Sequence, residues 1–217
     1  MRVMGPTAAL AGVPAGIQAA GPWSGRRQLF VRFAAEAETA TMFTADALVG
    51  ELTRLTARIP VHSIAIGGRD PLGNDEFLSA VLDKGPLPRP LLLDVDGQRP
   101  DVLAPLLRHC GLLQVQCDGV SQDAVAERRA ESLRVASEAN VPHALVLTVG
   151  EQATDGMVLR MIERVHAAAP QAMVVLHPTP GAAVDRDRRW ISLVEQASAV
   201  HDDVRFALRL PAPTGMR

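Results

Sequence analysis

The sequence predicts an α/β fold with parallel strands and outer helices, and three observations predict it. Short runs rich in Val, Leu and Ile alternate with longer amphipathic stretches, the pattern of strands joined by crossover helices. Several of those stretches open on an Asp or Thr able to cap free amides. The strand runs are nearly all apolar, which predicts a sheet covered on both faces.

Strands are expected at Leu29 to Phe33, His62 to Ile66, Leu91 to Val95, Leu112 to Cys117, Ala144 to Val149 and Met173 to His177. Helices are expected between them at Asp46 to Ala57, Asp75 to Asp83, Asp101 to His109, Gln122 to Ala139 and Asp155 to Ala168. Arg186 to Val200 reads as a further helix and Val204 to Leu210 as a last strand. Leu48, Leu52 and Leu55 recur at helical spacing, a stripe that packs a helix onto a sheet. Residues 1–16 are expected to form a flexible amino-terminal extension and residues 17–217 a single domain.

At 217 residues and 47% hydrophobic content the chain is long enough for one substantial core. A net charge of −2 provides no clustered cationic surface for nucleic acid or an anionic membrane, so neither is an expected partner. Pro6 and Pro14 interrupt the apolar amino-terminal run before it reaches the length of a signal or membrane helix. Cys110 and Cys117 lie seven positions apart around one strand and point to opposite faces, so they are read as unpaired thiols suited to a reducing cytoplasm.

In a parallel sheet the chemistry collects at the carboxyl ends of the strands, which here carry Glu36, the run Gly67 to Asp70, Asp94, Asp96, Asp118, Glu151 and His177. Asp94 and Asp96 sit two residues apart and so are expected to share a face, suited to a ribose diol, a metal or a shared proton, with turn capping as the structural alternative. His177 is placed as a general base or, alternatively, a structural histidine. Arg32 is expected to pair with an acidic neighbour, and the Arg186 to Arg189 run to be solvated surface.

Four segments together carry a family resemblance. The second strand ends in Gly67, Gly68, Arg69, Asp70 and Pro71, similar to the Gly-Gly-Glu-Pro turn of radical S-adenosylmethionine (SAM) enzymes. The third ends Leu93-Asp94-Val95-Asp96-Gly97, resembling their Leu-Glu-Thr-Asn-Gly run. Residues 17–33, from Ile17 through Gln18, Trp23 and Arg26 to Phe33, resemble the Gln-Gly-Glu-Gly, Gly-Arg-Pro and Phe-Val-Arg-Phe sequence of 7-carboxy-7-deazaguanine synthases, and Val204 to Pro211 resembles their closing segment. The resemblance covers residues 17–215 and implies a partial (β/α)6 TIM-like barrel of the radical SAM type.

By resemblance, Gln18 and Arg26 fall near the deazapurine substrate, and Gly67, Gly68, Arg69, Asp70 and Gly97 fall near SAM, with backbone turns as the alternative for the glycines. Where the family has three cluster cysteines, this chain has Glu36, Ala40 and Phe43. Carboxylate, methyl and phenyl groups do not replace thiolates, so no 4Fe–4S cluster is expected. No cofactor is expected, with SAM binding left open, and no spacing motif supports a metal at Glu36, Glu38, Asp94, Asp96 and His177. Arg69 opposes the SAM amino group, although Asp70 offers a compensating charge, and Ser-Pro-Lys is missing after Gln116. The expectation is a pseudoenzyme that binds a protein partner or a nucleoside-like ligand, as the homodimer implied by the resemblance or as a heterodimer with a paralogue. The alternative is a redox-neutral, lyase- or transferase-like enzyme acting on a purine-, pterin- or SAM-like compound in the barrel mouth.

Overall fold

Alternation along the strands sorts the two faces of one large sheet. A computed structural model describes residues 5–118, 123–179 and 188–208. In β7 (Leu112–Asp118), Leu113, Val115 and Cys117 enter the main core, whereas Gln114 and Gln116 point to the opposite face. The same sorting runs through β5 (Ser63–Gly68), β6 (Leu91–Val95), β8 (His143–Val149) and β9 (Met173–Pro178): Ile64, Leu93, Leu147 and Leu176 pack outward into the core. Ala65, Leu92, Val146 and Val175 belong to separate inner clusters. The strands expected to be nearly all apolar are so on the outer face, whereas Gln28, Ser63, Gln114 and Gln116 interrupt the inner one.

From β3 (Arg27–Phe33) through β5, β6, β7, β8 and β9 to β10 (Val204–Phe206), the strands are parallel and follow one another in chain order. Crossovers of this kind are right-handed, so a sheet wound in one direction gathers its helices on one side. α1 (Ala45–Arg58), α2 (Asp75–Leu82), α4 (Asp123–Glu138), α5 (Asp155–Ala168) and α6 (Arg189–Ser198) accordingly bury Leu48, Phe77, Leu133, Ile162 and Leu193 in the same core. Thr44 Oγ1 accepts from the Ala47 amide at the start of α1, and Thr154 Oγ1 accepts from the Met157 amide at the start of α5.

The helix expected over Asp101 to His109 is broken into a 3-10 turn at Pro100–Val102 and the single turn α3 (Ala104–Leu107). Pro105 has no amide to donate, and its ring crowds the carbonyl four residues back, which prevents one continuous helix. The last strand is shorter than expected, and residues 209–210 of that expectation lie outside the described residues, as do Arg186 and Asp187.

Within residues 1–16, expected as a flexible extension, the described residues include one strand and most of a second. β1 (Thr7–Gly12) and β2 (Ala15–Ile17) both pair antiparallel with β3, and β1 pairs on its other side with β4 (Thr41–Thr44). Ala8 and Leu10 are buried, so this segment covers an edge of β3 that would otherwise leave amides and carbonyls unpaired.

Neither Cys110 nor Cys117 forms a disulfide, as expected. The Cys110 thiol donates to the Leu106 carbonyl at 3.4 Å, and burial pushes its pKa up to about 12. Because the thiolate is the nucleophile, native Cys110 is expected to react with iodoacetamide at pH 8 about a thousandfold more slowly than in the unfolded chain. Peptide mass spectrometry over a labelling time course checks this, and equal rates in native and unfolded protein would refute it.

Candidate functional site

Among the described residues no helix packs on the inner face of the sheet, and its amino-terminal half is plugged by the hairpin at residues 18–26. Backbone bonds from Gln18 to Arg26, Gly25 to Gln18 and Arg26 to Trp23 close that hairpin. Trp23 packs beside Ala65, Leu92 and Leu112 and meets His62 edge-on, with ring centroids 5.0 Å apart, while Ala20 packs against Val146 and Val175. Toward the carboxyl ends the cover stops, and Asp94, Gln116, Thr148 and His177 become partly exposed along the groove it leaves.

One carboxylate orients a row of amides across this face. Asp94 Oδ1 accepts from Gln116 Nε2 at 2.8 Å and from Gln114 Nε2 at 3.1 Å. A carboxylate only accepts, so both amides must turn their nitrogen toward it. Gln114 Oε1 then faces Gln18 Nε2 at 2.8 Å, and Gln18 Oε1 faces Gln28 Nε2 at 3.3 Å. Gln28 Nε2 also donates to Ser63 Oγ at 2.8 Å, which leaves the buried Gln28 Oε1 without a partner. The row spans strands β3, β5, β6 and β7 and ends at a single charged group.

That group keeps one oxygen open. Asp94 Oδ2 makes no hydrogen bond among the described residues and lies on the side of Gly67, where an added Cβ would stand 3.5 Å from it. Gln116 Oε1 likewise has no protein donor. Burial raises the Asp94 pKa to about 6, against the lowering effect of the bonds from Gln116 and then Gln114. The groove thus presents two hydrogen-bond acceptors, one of them a carboxyl that titrates near neutrality.

The expected site residues separate into several groups. Asp96 does not share the groove with Asp94: β6 ends at Val95, and the Asp96 carboxylate caps its own turn by accepting from the Gln98 amide at 3.0 Å and Gln98 Nε2 at 2.8 Å. Turn capping, the structural alternative, describes its bonds. His177 lies on the inner face with Nδ1 3.0 Å from the Ala207 carbonyl; donation to that carbonyl leaves Nε2 as the free ring nitrogen. It stands three strands from Asp94, about 14 Å across the sheet, and four residues further along the strands, so the two do not act together on one atom.

Gln18 is buried, with both ends of its amide held inside the protein, and acts as a latch between hairpin and sheet rather than an open ligand contact. Arg26 is exposed at the hairpin and makes no side-chain bond among the described residues. Gly68 has a φ of 102°, and an added Cβ would stand 2.5 Å from the Phe33 carbonyl oxygen; Gly97 similarly abuts Val115 and Arg129. Close backbone packing therefore accounts for both glycines.

Glu36 and Ala40 are exposed in the turn after β3, which Arg32 closes by pairing with Glu38 at 2.8 Å, as expected for Arg32. Phe43 lies in β4 and packs on the core. Among the described residues no three His, Cys, Asp or Glu side chains converge as a metal site.

A second feature adjoins the groove. A cleft of about 690 Å³ at the carboxyl ends of β5 and β6 is lined by Arg69, Arg99, Arg128, Asp70, Asp96 and Gln98, together with Gly68 and Pro71. Sequence reasoning placed Arg69 and Asp70 near it but missed Arg99 and Arg128, as it missed Gln28, Ser63 and Gln114. For the last three a signal existed: polar residues at alternate positions of strands mark a face that is not packed against helices.

No family model matches the chain, and no curated protein matches it. Among solved structures, the chain is similar to a mandelate racemase/muconate lactonizing enzyme-like protein from Rubrobacter xylanophilus, at 14% identity and a TM-score of 0.35. The match covers 82% of this chain and 51% of that one, so the chain spans about half the length of this relative. No helix among the described residues is long and apolar enough to cross a membrane.

Proposed function

We propose that this chain is a relative of the 7-carboxy-7-deazaguanine synthases without their cluster, a pseudoenzyme on a partial (β/α)6 barrel that binds a nucleoside-like ligand in the inner groove. Parallel strands in chain order with helices on one side support the barrel reading. Two cysteines cannot supply three thiolates, which supports the loss of radical chemistry.

The observation that carries the ligand reading is the open pair Asp94 Oδ2 and Gln116 Oε1. Two open acceptors on the neighbouring strands β6 and β7 complement a ring edge rich in N–H donors, as on a guanine- or pterin-type ring, and a carboxylate strengthens such bonds. An adenine edge offers an acceptor where guanine offers a donor and leaves one of the pair unmet.

Isothermal calorimetry on the full chain with guanosine, adenosine and neopterin tests this. Guanosine or neopterin is expected to bind about tenfold or more tightly than adenosine. Asp94→Asn is expected to abolish that preference, because its amide keeps Oδ1 on the two glutamines and turns Nδ2, a donor, into the groove. Equal affinity for guanosine and adenosine, or no binding of any of the three, would refute the reading. A redox-neutral enzyme is the second reading, favoured by the Asp94 pKa of about 6, which suits proton transfer at neutral pH.

A further inference from the structure

The arginine-lined cleft beside the groove is unbalanced in what its side chains are bonded to. Asp70 Oδ1 accepts from the Gly73 amide at 2.9 Å, and both Asp96 oxygens are held by Gln98, so the two carboxylates are fastened into their own turns. Arg69, Arg99 and Arg128 make no ion pair and no side-chain hydrogen bond among the described residues. Arg32, Arg54, Arg108, Arg134, Arg164, Arg189 and Arg205 pair with carboxylates, whereas Arg26, Arg27, Arg58 and Arg160 are unpaired among the described residues but line no such cleft with one another. What sets the cleft apart is that three arginines from three separate segments line it together with no side-chain bond of their own among the described residues.

We infer that this cleft takes the phosphate of the ligand, making the molecule bound by this chain a phosphorylated, nucleotide-like compound rather than a free nucleoside. Guanidinium forks match phosphate oxygens in pairs, and three of them outweigh the two capped carboxylates at the rim. A cleft of about 690 Å³ has the size of a small-molecule site. Asp94, in the groove, and Asp96, at the cleft, are two residues apart, so their Cα atoms are separated by at most about 7 Å, a span within the length of one nucleoside monophosphate. Arg129 is not part of this set: its Nε donates to the Asp96 carbonyl at 3.0 Å, holding α4 against the turn that presents the cleft.

The base half of this inference rests on the groove reading, and the test separates the two. Calorimetry on the full chain in a phosphate-free buffer at low salt compares guanosine 5′-monophosphate, guanosine and inorganic phosphate. The monophosphate is expected to bind about tenfold or more tightly than guanosine, with an advantage that shrinks as salt rises. The exposed pair Arg69→Gln and Arg128→Gln, combined, is expected to erase that advantage while leaving guanosine affinity and the circular dichroism melt unchanged.

If the groove reading alone fails, guanosine does not bind and Asp94→Asn changes nothing, yet phosphate and the monophosphate still bind in an arginine-dependent way, which upholds the cleft. Equal affinity for monophosphate and guanosine in the native chain overturns the inference, as does a phosphate advantage that survives in the double variant. Tight binding of single-stranded RNA with no monophosphate binding also overturns it.

Discussion

Asp94→Asn is expected to make the protein more stable at pH 7.5, by about 2 kcal/mol out of at most about 3, while removing the ligand preference of the groove. The upper figure follows from a carboxyl whose pKa rises from 3.8 to about 6 on folding. Because the folded pKa is the higher one, the native state binds the proton more tightly than the unfolded chain does. Native stability therefore falls as pH rises through the window from about 4 to about 6, and the charged form carries that penalty at neutral pH.

Asparagine has no such penalty and retains an oxygen for Gln114 and Gln116. The gain over the native chain is accordingly expected to vanish below pH 4 and reach its full size above pH 6. Urea unfolding of both proteins at pH 4, 5, 6 and 7.5 measures it. Parallel pH–stability curves would show that Asp94 is not held in the environment described.

Gly97→Ala is expected to act in the opposite direction and cost about 2–4 kcal/mol, a fall in melting temperature of roughly 5–15 °C for a chain of this length. Gly97 has a φ of 71°, and an added Cβ would stand 2.6 Å from Val115 Cγ1, 3.0 Å from Arg129 Cγ and 3.2 Å from Arg129 Cα. Relief requires α4 to move from the sheet, which would strain the Arg129 bond to the Asp96 carbonyl and the 2.9 Å bond from Ser132 Oγ to the Gly97 carbonyl.

Gly50→Ala serves as the contrast in the same melting experiment. Gly50 lies in α1 with nothing within 4 Å of the added Cβ, so alanine there is expected to stabilise by about 1 kcal/mol. A melting temperature for Gly97→Ala within a degree of the native value would remove the packing argument.

Most elements were legible in the sequence because their apolar residues recur at the period of the element they form. β6 runs from Leu91 to Val95 and α5 from Asp155 to Ala168, as their patterns indicate. β1, β2 and β4 are short and built largely of Ala, Gly and Thr; β1 and β2 become strands only because β3 offers them an edge, and β4 because β1 does, which local pattern cannot register. Asp94 was legible from its place at a strand end. Its separation from Asp96 was not, because Asp96 turns away only once the chain leaves β6 and Gln98 folds back onto it.

Composition alone settles that two cysteines provide at most two thiolates, since no folding adds a ligand that the chain does not encode. The strand and helix periods likewise carry the α/β class, because burial of a repeating apolar face is a local consequence of backbone geometry. Which face of the sheet stays bare, which amides line up behind Asp94, and that Arg69, Arg99 and Arg128 meet at one cleft all depend on the winding direction of the crossovers. Those juxtapositions join residues 10 to 96 positions apart, and tertiary packing rather than local preference brings them together.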